Sequence, residues 1–411
     1  MELLMTIELT ADQQAAYAEL IKLVTTDLKE LVIVGFAGTG KTTLVKTFLD
    51  EWDQMVALSN GAFKQRDVYL TATTNKAADA LCSATGRETS TVHSFLGLRV
   101  VNTGFKESKI VATEKAIPND CILIIDEASF IDEELLKHIK DKTEHCKVVY
   151  IGDPCQLKPV GSDNTPVFTS GISEVNLRQI VRQADTSPIQ TLSKSLRDYV
   201  EGSPMPKAGV DGINIFHRNQ QDFEQHLINA CRIGVGNSVR ALTWTNQKAI
   251  YYNNLVAQAL SGVGDFKVGD TVVVNRQVSY KNIYKFSTDS TVQIKQLGEW
   301  EIDKNGITSR KVETTSGHFF RHAKDQLELA GPTKEAYSNK DYDLVHELEN
   351  FYVDLRLMFA STVNKSQGST YETVFIDLND IGKCRDPDQV RRMLYVAVSR
   401  AKSQVIFTGD I

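Results

Sequence analysis

Gly35-Phe-Ala-Gly-Thr-Gly40-Lys41-Thr42 stands between the apolar run LVIV at 31–34 and the helical pattern TTLVKTFL. This G-x-x-x-x-G-K-[ST] loop, in its strand-to-helix setting, dictates a parallel strand, a tight turn and a helix in that order. Further apolar runs follow at VYL (68–70), ILII (122–125) and VVYI (148–151), separated by helical patterns. Such alternation predicts βαβ units and a parallel sheet. A second set, RALT (240–243), TVFI (373–376) and QVIF (404–407), predicts a second α/β domain interrupted by an insertion. A chain of 411 residues has room for two to three domains.

Glycines suit such a loop because backbone N–H groups must turn inward around phosphate oxygens, where a Cβ would obstruct. The following helix N-terminus adds partial positive charge. Lys41 is placed to neutralise β- and γ-phosphates and Thr42 to ligate Mg²⁺. Gly35, Ala37, Gly38, Thr39, Gly40 and Thr43 complete the predicted ATP cradle. ILIIDEAS delivers Asp126 and Glu127 at a strand's C-terminal end, where open α/β sheets bind ligands. Asp126 is the candidate metal acid, and Glu127 the residue that positions or deprotonates water; the plain alternative is a helix cap. Nucleotide kinases share the loop, but a metal acid beside a water-activating acid favours hydrolysis. After VVYIGDP, the amide of Gln156 can donate and accept, which suits a γ-phosphate sensor.

Basic residues number 46 against 52 acidic ones, a net charge of −6. That excludes nucleic-acid binding by bulk charge, though not a local basic channel. No apolar run reaches the length of a membrane span, and MELLMTIELT lacks a signal-peptide pattern, so a cytoplasmic protein is expected. The six cysteines form no C-x-x-C pair and His318 and His322 have no cysteine partners, so no structural metal is expected.

The insertion spans roughly 276–355. Its first part shows short β-like runs broken by Gly and Asn, the pattern of a small barrel or meander. Over 266–325 there are ten Lys/Arg against seven Asp/Glu, and over 326–355 two against seven, so the two halves should face different neighbours. A smaller interruption at 99–118 has the turn formers Asn102, Thr103 and Gly104 between β-branched residues, a protruding hairpin that pattern alone reads as ordinary surface.

Together these blocks resemble the superfamily 1 helicases over most of the chain. LTADQ (9–13) resembles the family's adenine-reading segment, with Gln13 on the base edge. Thr10-x-x-Gln13 is equally a capping box, and both roles can coexist. TATTNKAADAL (71–81) and STVHSFLGL (90–98) resemble strand-tracking segments, which implies DNA contacts from Thr73 and His93. LRQIVR (177–182) resembles the segment whose last arginine, Arg182, reaches the γ-phosphate. ALTWTNQKA (241–249) resembles the block opening the second motor domain's DNA face, with Asn246. STVNKSQGST (361–370) matches the Lys-x-Gln-Gly pattern through Lys365, Gln367 and Gly368, and YVAVSRAKSQ (395–404) the last motif, with Arg400 at the ATP cleft. Asn364 stands where the family more usually has histidine, and Ser399 where threonine is common.

The 5′→3′ branch that holds RecD-like and Dda-type helicases is the nearer match. It implies two RecA-like parallel-sheet motor domains, the first being 1–98 and 119–165 and the second 166–275 and 356–411. It also implies a β-hairpin pin at 99–118, with Phe105 at the DNA, and an SH3-like barrel plus acidic arm at 276–355. The implied activity is an ATP- and Mg²⁺-dependent DNA helicase, a monomer acting on single-stranded and forked duplex DNA, with a single-strand-binding or replication protein as partner. If phage-encoded, it would work in the host cytoplasm. A translocase or recombination-complex subunit, a non-hydrolysing DNA clamp and a nucleotide kinase are the alternatives.

Overall fold

Each apolar run singled out above becomes a strand. The computed structural model describes residues 8–411 except 60, 62–63, 105–106, 160–163, 180–186, 208, 235–237, 277, 281–283 and 287. It divides into two units. One holds Met1–Arg99, Ile110–Lys207 and Arg391–Ser399, and the other Val100–Lys109, Ala208–Val390 and Arg400–Ile411. Among the described residues no helix is long and apolar enough to cross a membrane.

The first unit contains β1 (Glu30–Gly35), β2 (Val68–Ala72), β3 (Thr89–Thr91), β6 (Ile122–Asp126), β7 (Lys147–Gly152) and β8 (Glu174–Leu177); β4 (Leu98–Gly104) and β5 (Glu107–Ala112) form a two-stranded hairpin whose residues Val100–Lys109 fall in the other unit. The sheet is parallel, in the order β3-β2-β6-β7-β1-β8. Along β1, Leu31 and Ile33 enter a core with Phe48 and Trp52 of the helix Lys41–Leu58. Val32 and Val34 enter the opposite core with Phe95 and Ile139. That two-sided burial is why the strand reads as continuously apolar.

At the hairpin's base, the Thr113 amide and hydroxyl both donate to the Gly97 carbonyl, at 2.8 and 2.7 Å. Gly97 has φ 64°, and a Cβ there would meet Thr113 Oγ1 at 2.5 Å, so the turn at the hairpin's base requires glycine. The expected hairpin is thus present, while Phe105 lies outside the described residues.

The second unit has β9 (Ile215–Arg218), β10 (Val239–Thr243), an insertion carrying β11 (Thr271–Val274), β12 (Val278–Tyr280), β13 (Tyr284–Phe286), β14 (Thr291–Leu297), β15 (Glu301–Ile302), β16 (Thr308–Thr314), β17 (Phe319–Ala323) and β18 (Leu355–Arg356), and then β19 (Ala360–Thr362), β20 (Tyr371–Asp377) and β21 (Ala401–Thr408). The parallel sheet runs β19-β10-β20-β21-β9. Its core gathers Phe223, Tyr252, Phe375 and Ile406. The insertion's larger sheet is antiparallel, in the order β15-β16-β14-β11-β18 with β17 on β16. Arg321 of β17 exchanges backbone bonds with Phe351 and Val353 just before β18 pairs with β11. The sheet therefore curls back on itself around Val272, Ile294, Val312 and Phe320.

Two expected boundaries move. Residues 166–207 were assigned to the second motor domain, yet β8 pairs in parallel with β1, from Val32↔Glu174 to Gly35↔Leu177, and covers the edge that β1 would leave bare. The insertion's first strand begins at Thr271 rather than 276, because Thr271–Val274 pairs with both β14 and β18. The acidic half, expected as an arm of the insertion, forms two helices. Its helices Ala330–Ser338 and Tyr342–Asn350 bury Ala336, Val345 and Leu348 against Ile307, Ala323 and Tyr352, and Glu347 pairs with Lys304 at 2.8 Å.

Candidate nucleotide site and strand-contact turns

β1 ends at Gly35, and Gly40, with φ 78°, opens the helix Lys41–Leu58 without a side-chain cap, leaving its first amides to the loop's interior. A Cβ on Gly35 would stand 2.7 Å from Thr39 Oγ1 and 3.0 Å from Lys41 Cγ. The Lys41 ammonium folds across its own loop, donating to the carbonyls of Gly35 and Phe36 at 2.8 and 2.9 Å. Ala37 and Gly38 complete the turn, buried Thr39 donates to the Phe36 carbonyl at 3.0 Å, and Thr42 and Thr43 occupy the helix's first turn.

Gln13 braces this loop. Its amide nitrogen donates to the carbonyls of Thr39 and Gly40 at 3.1 and 3.3 Å, and its oxygen accepts from the Thr10 amide at 2.9 Å. The capping box is therefore realised, and an adenine contact would draw on the same amide. Next to Gln13, the Asp12 carboxylate accepts from the amides of Arg178 and Gln179 at 2.8 and 2.9 Å. It fixes the exit of β8 toward the segment of Arg182, itself outside the described residues.

Asp126 closes β6, and Glu127 follows in the left-handed region, φ 55° and ψ 44°. Burial pushes the Asp126 carboxyl up, and the Lys41 ammonium pulls it down. Carboxylate oxygen is the donor type that a hard cation takes. Asp126 and the Thr42 hydroxyl are the residues that would hold Mg²⁺, which fits a site completed by phosphate oxygens and water. Asp153, fully buried past β7, accepts from the Cys155 amide at 3.0 Å, and buried Gln156 follows on the same loop.

Three of the strand-contact candidates, Thr73, His93 and Asn246, sit on threonine-capped turns. Thr74, Thr91 and Thr245 each accept a backbone N–H at the start of the helices Asn75–Thr85, Val92–Leu96 and Asn246–Ser261. His93 is half-buried, and burial holds its imidazole below the usual value against the pull of Asp132, so it offers hydrogen bonds rather than charge. Asn246 is exposed and accepts from Arg356 at 2.7 Å. Asp380 fixes that turn through the amides of Trp244 and Thr245 at 2.9 and 2.7 Å. The Lys365 ammonium donates to the Asn275 carbonyl at 2.9 Å and lies 3.4 Å from Asp289, so it ties its turn to the insertion; Gln367 is buried beside it. Arg400, also buried, donates to the Ser369 carbonyl at 3.3 Å.

Three contacts went unread in the sequence. Tyr395 donates to Asp153 at 2.6 Å, and Arg392 donates to the carbonyls of Pro154 and Gln156 at 2.5 and 2.8 Å. The Arg197 guanidinium lies 3.0 Å above the ring of Phe36 in the phosphate loop. A tyrosine in the apolar run LYVAV was the one available signal, since a buried phenol must find a partner.

Two family models match the chain, one described as an AAA domain over residues 8–205 and one as a UvrD-like helicase C-terminal domain over 357–408. The ATP-dependent DNA helicase dda of Enterobacteria phage T4 is 24% identical, over 97% of this chain and 99% of its own. The ATP-dependent RecD2 DNA helicase of Deinococcus radiodurans is 27% identical over 92% of this chain, which spans 47% of that longer protein. Among solved structures, one of Pif1 helicases at forked double-stranded DNA shares the fold with a TM-score of 0.52 at 16% identity, covering 99% of this chain and 93% of its own. With the phosphate loop, the paired acids and two parallel-sheet units in place, the chain belongs to the superfamily 1 helicases, ATP-hydrolysing enzymes with RecA-like α/β domains, in the group of RecD- and Dda-like proteins.

Proposed function

We propose that this protein is an ATP-dependent DNA helicase that moves 5′→3′ along single-stranded DNA and unwinds duplex, coupled to Mg-ATP hydrolysis. The observation that carries the reading is the convergence, at the C-terminal ends of β1, β6 and β7, of Lys41, the Asp126–Glu127 pair and the Asp153–Gln156 loop. Lys41 and the loop amides neutralise the phosphates, and Gln13 keeps the loop in shape. Glu127 orients the attacking water and takes its proton, while Gln156 reads the γ-phosphate. Bound Mg²⁺ supplies charge neutralisation at the phosphate oxygens. Arg182 and Arg400 are assigned to the charge that develops on the transferred group, a task suited to a guanidinium fork.

Thr73, His93, Asn246, Lys365 and Gln367 belong to turns assigned to the strand. The hairpin of β4 and β5 is assigned to base-pair separation, with Phe105 at the fork, and the curled insertion is assigned as an SH3-like barrel. Sequence-independent gripping of a backbone needs no large net positive charge, which agrees with a net charge of −6. Polarity follows the kinship with the RecD-like branch. The deciding experiment is strand displacement on matched 5′-tailed and 3′-tailed duplexes with ATP. Displacement of the 5′-tailed substrate alone supports the reading. Preference for the 3′ tail overturns the polarity, and DNA-stimulated ATP turnover without displacement makes the protein a translocase.

A further inference from the structure

The catalytic turn is held from a neighbouring strand. Thr73, one residue past β2, donates its hydroxyl to the Glu127 carbonyl at 3.1 Å and its amide to the Asp126 carbonyl at 3.3 Å. These bonds continue the β2–β6 ladder, which ends at Ala72↔Asp126, beyond the last strand residue and into the turn that carries the acid.

Glu127 has need of such a hold. Its φ of 55° lies in the left-handed region, which strains a side-chain-bearing residue and persists only where the surroundings over-determine it. Three hydrogen bonds fix its peptide groups: its amide donates to Asp126 Oδ1 at 2.8 Å, and its carbonyl accepts from the Phe130 amide at 3.1 Å and from Thr73. The Thr73 bond alone among these three arrives from outside the segment 126–130. On its other side, Thr73 adjoins Thr74, whose hydroxyl caps the helix Asn75–Thr85. A capped turn between a buried strand and a helix is short and stiff, so a shift at its outer surface is carried to Thr73.

The same geometry argues against Thr73 as a phosphate ligand. A hydroxyl whose single proton is given to a carbonyl has only lone pairs left, and lone pairs repel phosphate oxygens.

Resting on the helicase reading, we infer that Thr73 is a positioning residue, through which single-stranded DNA seated on the 73–75 turn sets the backbone of Glu127 for attack on ATP. DNA stimulation of hydrolysis then passes through one hydroxyl-to-carbonyl bond between adjacent strands.

Thr73→Val keeps the β-branched shape and removes the hydroxyl; Thr73→Ser keeps the hydroxyl. ATP turnover of the full chain is measured with and without saturating oligodeoxythymidylate, alongside oligonucleotide Kd and melting temperature. Thr73→Val should lose tenfold or more of the DNA-stimulated kcat, with KM for ATP and oligonucleotide Kd within twofold of the parent, and Thr73→Ser should retain at least half of the parental kcat. An unchanged kcat in Thr73→Val overturns the inference. A loss that more oligonucleotide restores makes Thr73 a DNA contact instead, and equal losses in both variants with a lowered melting temperature make it structural. A parental chain without DNA-stimulated turnover overturns the helicase reading itself, and the inference with it.

Discussion

The hydroxyl of Tyr395 lies 2.6 Å from Oδ2 of Asp153, and both groups are buried. Burial and the Asp153 carboxylate push the Tyr395 phenol well above its ordinary value, so it remains a donor at any working pH. The bond fastens the helical stretch 391–399 to the loop that carries Gln156. Tyr395→Phe would leave Asp153 with an unmet acceptor, at a cost of about 1–3 kcal/mol. The variant should melt several degrees lower and turn over ATP more slowly. Calorimetry and steady-state rates check this, and an unchanged melting temperature would contradict it.

Lys41→Ala should abolish ATP turnover and weaken nucleotide binding while leaving single-strand affinity largely intact. The ammonium already rests on the loop carbonyls of Gly35 and Phe36, placed to swing onto phosphate. Nucleotide titration and an oligonucleotide binding assay separate the two effects. Hydrolysis near the parental rate would remove Lys41 from the site.

Glu127→Gln should bind Mg-ATP normally and hydrolyse it slower by about 10² to 10⁴, the usual worth of general-base help. The amide keeps the side chain's size and loses the proton acceptor. Single-turnover hydrolysis beside a binding isotherm is the measurement, and equal losses in both would assign Glu127 to structure.

Replacing 102–106 by a short Gly/Ser turn should preserve DNA-stimulated ATP hydrolysis and single-strand translocation, yet sharply reduce duplex unwinding. The hairpin is rooted by the two bonds from Thr113 to Gly97, away from the phosphate loop in sequence and from Asp126. Unwinding per ATP at the parental level would make the hairpin incidental.

Much of the nucleotide site could be read from the chain because its groups are local. The loop from Gly35 to Thr42 and the Asp126–Glu127 pair lie within single strand-to-turn passages, so spacing along the sequence is spacing in the site. What escaped reading depends on distant partners. No pattern in EVNL announces that β8 will extend the first sheet beside β1, and the boundary drawn at 165 failed for that reason. Thr73 and Lys365 look like free polar groups at turn positions, yet each is engaged by a backbone carbonyl, 54 positions away for Thr73 and 90 for Lys365. The acidic run 326–355 reads by its charge only as an arm with different neighbours from the barrel. Its apolar residues are spaced for two short helices that dock on the insertion, a tertiary choice that charge counts do not encode.

The order β19-β10-β20-β21-β9 also has a kinetic consequence. β21 fits between β20 and β9, so β9 waits for a neighbour made 190 positions later, a separation of the kind that slows folding through loop-closure entropy. β10 and β19 likewise meet only after the whole insertion has been threaded between them. The first unit's sheet draws all its strands from the first 177 residues and can assemble early. Refolding should accordingly show two phases, a fast one that restores the first unit's sheet and a slow one in which the uncovered edge of β20 is exposed to association with other chains.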